Sequence, residues 1–162
     1  MKMQTLEDLF IHEVQDLHSA EEQIVEALPE MAKAAASPEL KKAFQEHLKV
    51  TKTHLDRVQQ ILTELGEKPG KKCKGMEGLL KEGEEVLKED SDADVKDAAL
   101  IAAAQKVEHY EMAGYGAART HALQLDHDNM AEVLQQTLNE EGEADKKLTA
   151  LAEGNINARA DK

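Results

Sequence analysis

Apolar side chains recur at intervals of three and four over four long stretches of the chain, the spacing of one buried helical face. Leu6, Phe10, Leu17, Ile24, Leu28 and Met31 predict a first helix over about 5–35. Pro29 lies inside it and removes one backbone donor, which predicts a bend in the last turns. Ser37-Pro38-Glu39 is a helix-start signal, with a serine cap, a proline in the first turn and an acid against the helix dipole. The second helix, about 38–65, turns Ala43/Phe44, His47, Val50/Thr51, His54, Val58, Ile61/Leu62 and Leu65 inward, and Gly66 offers its stop. Beyond it the chain changes to Gly, Lys and Glu, yet Met76, Leu79/Leu80 and Val86/Leu87 predict a short helix over about 75–88. A third long helix, about 92–123, is capped by Ser91 or Asp92. The fourth, about 128–153, carries Met130, Val133/Leu134, Thr137, Glu141, Asp145, Leu148 and Ala152 inward, and the tail from Asn155 is expected to fray.

Short link, long crossover, short link is the connectivity of a ferritin-like bundle, whereas an up-and-down bundle needs three short links. The expected fold is therefore all-α: a single ferritin-like four-helix bundle over residues 1–162, whose long crossover carries a short fifth helix.

Composition narrows the partners. Aromatics make up only 2%, so the core must be aliphatic, alanine and methionine. A net charge of −13 repels nucleic acid and anionic lipid, and the basic run from Lys68 to Lys74 is too short to reverse this. No stretch approaches the ~18 apolar residues of a membrane span, and no secretory leader pattern opens the chain. Cys73 is alone, so no intramolecular disulfide forms, and it reads as incidental in a polar loop. The expectation is a cytoplasmic protein with neither nucleic-acid nor membrane partners. Phosphate loops, zinc-finger spacings and a serine elbow are missing, so any chemistry rests on carboxylates and histidines.

Those residues cluster by level. Glu108 and Glu111 stand in an otherwise apolar helix, on the line Leu100/Ile101, Ala104, Glu108, Glu111, Tyr115, Ala118. Glu21 takes the matching place on the first helix, His47 and His54 on the second, Glu141 and Asp145 on the fourth. Facing helices that converge carboxylates suit a pair of hard cations. The bland alternative leaves these acids half exposed and paired with lysine or arginine. His54 reads equally as a ligand or as a hydrogen-bonded core histidine. His47 lies two turns away, about 10 Å along the axis, which suits an outer or core role. His12, His18, His109, His121 and His127 fall on surfaces, and both tyrosines read as core or interface ahead of the alternative that one near iron donates a hydrogen bond or an electron. Ile11, Val14 and Val25, off the main stripe, suggest a twofold pair through the first two helices. The two halves also read as degenerate copies in which Glu21 matches Glu108, His54 matches Asp145, and Glu141 falls opposite Val50.

The chain resembles the YciF-like family of ferritin-like proteins. The likeness rests on Thr5-Leu6-Glu7-Asp8-Leu9-Phe10, Ser19-Ala20-Glu21, His47-Leu48, Met76-Glu77-Gly78-Leu79 and above all on the run from Asp97 to Glu111 with Tyr115-Gly116. It implies a rubrerythrin-like bundle, stress-associated expression and a homodimer. It also implies metal ligands at Glu21, His54, Glu108, Glu111 and Glu141. The chain departs from the rubrerythrin-like pattern at Val50, where a glutamate is usual, and at Ala144-Asp145, where a histidine is usual. The expected function is metal binding, with iron as a binuclear centre or singly, and manganese or another divalent ion as the alternative. Such a centre would support oxygen or peroxide chemistry with an electron donor the sequence does not name. The competing expectation is a non-catalytic dimeric structural or stress protein with a degraded or single-metal site.

Overall fold

The computed structural model describes residues 3–162, and among them every regular element is a helix. They are α1 (Leu6–Ala34), α2 (Pro38–Glu64), α3 (Lys74–Lys88), α4 (Ala93–Gln124), α5 (Asp128–Leu151) and, after a π-turn at Ala152–Ile156, α6 (Asn157–Ala160). The caps explain the boundaries. Thr5 and Asp8 form a reciprocal capping box, Ser37 caps α2 ahead of Pro38, and Asp92 caps α4. Gly66 leaves α2 at a φ of 72°, which a side chain would resist.

Two contacts fix the helix directions. The backbone N–H groups of Ala36 and Ser37, in the α1–α2 link, donate to Asp97 Oδ1 and Oδ2 at 2.8 and 2.7 Å, so this link sits at the start of α4. At the other end, His127 in the α4–α5 link lies 3.4 Å from Glu7 near the start of α1. α1 therefore runs antiparallel to α4, and α2 parallel to it, with the connection through α3 spanning the bundle. This is the short–long–short connectivity of a ferritin-like all-α bundle.

The core comes in two parts. Ile24, Leu28, Phe44, Leu100, Ala104 and Leu148 belong to one buried cluster. Phe10, Val14, Leu17, Val58, Leu62, Tyr115 and Leu134 belong to the other. On every long helix a polar stretch stands at or beside the change from one cluster to the other: His18 to Glu21 on α1, His47 to His54 on α2, Glu108 to Glu111 on α4, Glu141 on α5. A layer of ionisable groups thus cuts the core at one level.

Several local expectations need correcting. The tail does not fray, because Ile156 is fully buried in the core, while Arg159 and Lys162 pair with Asp94 and Asp92 at the acidic start of α4. Cys73 is buried rather than in a solvated loop. It caps α3, and its thiol lies 3.2 Å from Asp16 Oδ2 and 3.1 Å from the Tyr110 hydroxyl. Gly75 is required beside it, since a Cβ there would stand 2.6 Å from the Tyr110 ring. His18 is buried against Gln59 at 2.9 Å, not on the surface. Val14 is fully buried too, so it is unavailable to a partner.

Candidate metal centre

α1 contributes Glu21, α2 contributes His47 and His54, α4 contributes Glu108 and Glu111, and α5 contributes Glu141. Each follows from helical period, for its side chain continues the buried stripe of its own helix across the polar layer. One ligand atom from each of His47, Glu108, Glu111 and Glu141 lies within 4.8 Å of the others, and so does one from each of Glu21, His54 and Glu141. Glu141 belongs to both groups, making one two-lobed cluster.

Distances describe a crowded, mostly buried centre. His47 Nε2 is 3.0 Å from Glu108 Oε1 and 3.9 Å from Glu141 Oε2. His54 Nδ1 is 2.6 Å from Glu141 Oε1 and 3.6 Å from Glu21 Oε1. Its Nε2 lies 2.8 Å from Glu140 Oε2, and Arg57 grips that carboxylate with both terminal nitrogens at 2.7 and 3.1 Å. The Tyr115 hydroxyl donates to Glu21 Oε1. Glu21, His54, Glu111 and Glu141 have no solvent exposure.

Many of the inward atoms lack a hydrogen-bond partner of acceptable geometry. They are Oε2 of Glu21 and Glu108, both carboxylate oxygens of Glu111 and Glu141, Nε2 of His47 and Nδ1 of His54. Buried polar atoms are rarely left this way. The electrostatics agree. Burial lifts the Glu21, Glu108 and Glu141 carboxyls to about 7, and repulsion from neighbouring carboxylates adds to it at all three. Burial and the charges of Glu21, Glu141 and Glu108 hold Glu111 well above the usual carboxylate range. Burial opposes charge on His54, yet Glu141, Glu21 and Glu140 together lift it to about 9. Burial holds His47 below its ordinary value, in spite of Glu141. Glu140, gripped by Arg57, is brought down to about 2.

The chemistry of the donor set fits a pair of divalent cations. Four carboxylates would balance two double positive charges, and two imidazoles complete the set. Ferritin-like carboxylate centres commonly draw the same donors from Glu on two helices and Glu-x-x-His on two others. Here the total is kept and the distribution differs, with both histidines on α2 and paired glutamates on α4.

This redistribution corrects three readings. His47 enters the cluster despite its axial distance from His54, because Glu141 reaches between them. Val50 leaves no gap in the centre: it is 38% exposed, and Thr51 takes the inward position at 1%. Asp145 does not join. One turn and about 40° beyond Glu141, it accepts from Gln105 Nε2 at 3.2 Å and lies 3.3 Å from the exposed His109. Tyr115 belongs beside the centre as more than packing, and its place on the Glu108–Glu111 line was the available signal.

Residues 5–161 match the family described as a domain of unknown function, DUF892. The chain is 45% identical to Protein YciF of Escherichia coli (strain K12) over 163 residues, covering 99% of this chain and 98% of that one. It matches the crystal structure of the E. coli stress protein YciF with a TM-score of 0.91 and 46% identity, covering 96% of this chain and 99% of that one. YcfI from Rhodopseudomonas palustris matches with a TM-score of 0.88 and 42% identity, over 91% and 95% of the two chains. A protein from Xanthomonas campestris, 19% identical, shares the fold at a TM-score of 0.78 over 96% of both chains. The chain belongs to the DUF892 family and is YciF-like in sequence and fold.

Proposed function

We propose that this YciF-like protein holds a pair of divalent transition-metal ions, iron first among them, in the polar layer of its bundle. The observation that carries the reading is the set of buried ligand atoms without hydrogen-bond partners, turned from four helices into one volume. Unpaired buried carboxylates are strongly unfavourable, and a cation offsets that cost. His47, Glu108 and Glu111 would hold one ion, Glu21 and His54 the other, and Glu141 would serve both. Mixed oxygen and nitrogen donors suit iron, with manganese the carboxylate-rich alternative.

When bound, iron would supply redox chemistry toward dioxygen or peroxide. The chain's own residues set the conditions. Glu140 takes the Nε2 proton of His54 into a hydrogen bond and so presents Nδ1 to the cluster. Tyr115 holds a proton against Glu21, and the two apolar clusters bury the Glu21, Glu111 and Glu141 side of the layer. Likeness to the E. coli stress protein suggests a stress-associated role. A twofold pair through α1 and α2 belongs to the same reading, with half-buried Ile11 and Val25 as its apolar contacts. No helix among the described residues is long and apolar enough to cross a membrane.

A non-catalytic stress protein is the second reading, and one observation favours it. Arg57, Glu140 and His54 already pair, and burial favours the neutral form of the inner carboxyls, so the layer can persist as neutral acids without a cation. Anaerobic loading with ferrous iron, followed by metal analysis after gel filtration, separates the two. About two irons per chain supports the first reading; none retained overturns it.

A further inference from the structure

A cavity of about 580 Å³ opens along the seam between α2 and α5 and reaches inward to the His47 and Glu108 side of the polar layer. Its rim is exposed and comes from the two seam helices: Val50 and Thr53 on α2, Asn139, Glu143 and Lys147 on α5. Its floor is buried and apolar, formed by Ile24, Leu28, Phe44, Val107 and Leu148. Polar groups border that floor at His47 and Glu108, whose side chains are 12% and 3% exposed.

The sequence makes this space with small residues. Ala27, Ala43, Ala104 and Ala144, one from each long helix, place methyl groups on the lining where larger aliphatic side chains would close the bundle. Interiors are normally close-packed, and apolar side chains left facing an open space of this size forgo the stabilisation that packing would give. A bundle selected only to hold its shape gains by filling it. The volume lies instead within the range of small-molecule pockets, which are mostly apolar with a few convergent polar groups.

Charge at the mouth narrows the class of occupant. Arg57 is paired with Glu140 and Lys147 with Glu46, so both cations of the lining are already neutralised. The whole chain carries −13, which disfavours anions further. We infer that this cavity binds an uncharged, predominantly apolar organic molecule, its single polar end directed to the His47–Glu108 lobe. As a statement of substrate class this rests on the metal reading above; as a binding site it does not.

The test uses the full chain, metal-free and loaded with cobalt(II). The neutral fluorophore 1-aminoanthracene is titrated in, then displaced with 1-decanol or with decanoate. Saturable binding of one probe per chain is expected, with decanol displacing it at least about tenfold better than decanoate. Ala144→Phe and Ala27→Phe fill the cavity from opposite helices. Each should weaken the probe by about tenfold or more while keeping the helical circular dichroism and cobalt stoichiometry of the wild type. In the loaded protein, decanol should shift the visible spectrum of cobalt. Lack of saturable binding in the wild type, undiminished affinity in both folded variants, or a preference for decanoate would each overturn the inference, and an unmoved cobalt spectrum would overturn the orientation. Probe binding without cobalt binding would sink the metal reading and leave the cavity standing; cobalt without probe would do the reverse.

Discussion

His54 is clasped by two consecutive residues of α5, with Glu140 Oε2 2.8 Å from its Nε2 and Glu141 Oε1 2.6 Å from its Nδ1. The two carboxyls differ in kind. Arg57 holds Glu140 at about 2, so it stays ionised and fixes the ring, while buried Glu141, lifted to about 7, faces the candidate ions. Glu140→Gln should therefore weaken metal binding by roughly 10–100-fold without changing the number of ions bound. Competition with a chelator of known affinity checks this. A fall in stoichiometry instead would make Glu140 itself a ligand.

Glu108→Gln keeps the side chain's shape and removes one ligand charge. Most metal binding should be lost. The metal-free bundle should be as stable as wild type or more so at pH 8, by on the order of 1–3 kcal/mol, because a buried carboxylate no longer needs to ionise. Urea unfolding of both forms in chelator gives the comparison, and a clearly destabilised variant would contradict the assignment.

The pH dependence of the metal-free protein follows from the same groups. Glu21, Glu108 and Glu141 titrate near 7 in the folded chain against an ordinary 4.5, so between these values the folded state binds more protons than the unfolded one. Stability then falls as pH rises through that window. His54, at about 9 against 6.5, adds a loss of the same sign at higher pH. Metal ligation needs the deprotonated carboxyls, so the stabilisation by iron should grow over the same range. Thermal melts from about pH 5 to pH 9 should descend without metal and diverge upward with it. A metal-free melting temperature that climbs with pH would remove the argument.

Asp97 is fully buried and takes the N–H groups of Ala36 and Ser37 in the α1–α2 link. Asp97→Ala leaves both donors unpaired, that of Ser37 buried and that of Ala36 partly open to water, and should cost about 1–3 kcal/mol. Asp97→Asn should cost less, since one oxygen remains to accept. Chemical denaturation of the three proteins would show the order, and a neutral alanine variant would mean water replaces the carboxylate.

Dimerisation through α1 and α2 predicts a mass of twice the 17.9 kDa chain in light scattering at micromolar concentration. Val25→Glu should dissociate the pair while leaving helicity intact. A monomeric wild type at that concentration would end this proposal.

Much of this architecture was legible because helix signals are local. Ser37-Pro38 and Asp92 announce their caps within a few residues, and the three-or-four spacing that marked Glu108 and Glu111 as inward depends on one helix alone. The residues that escaped depend on rotation between helices. Whether position 50 or 51 faces inward is a matter of one helical step, and it settles why Thr51 is buried and Val50 rims a cavity. Asp145 shares the stripe of Glu141 in sequence, but the extra 40° carries its shorter side chain to Gln105. Cys73 and Ile156 misled for another reason: each sits in polar sequence, and each is buried by elements far away along the chain.

A polar layer across the middle leaves each end of the bundle with its own apolar centre, and thus with its own threshold for opening. In amide exchange the metal-free chain should behave as two cooperative units that share four helices. Ions tied to side chains from all four would rivet those units together. Loading would then show itself far from the site, as equal protection at the two ends of a bundle that otherwise breathes in halves.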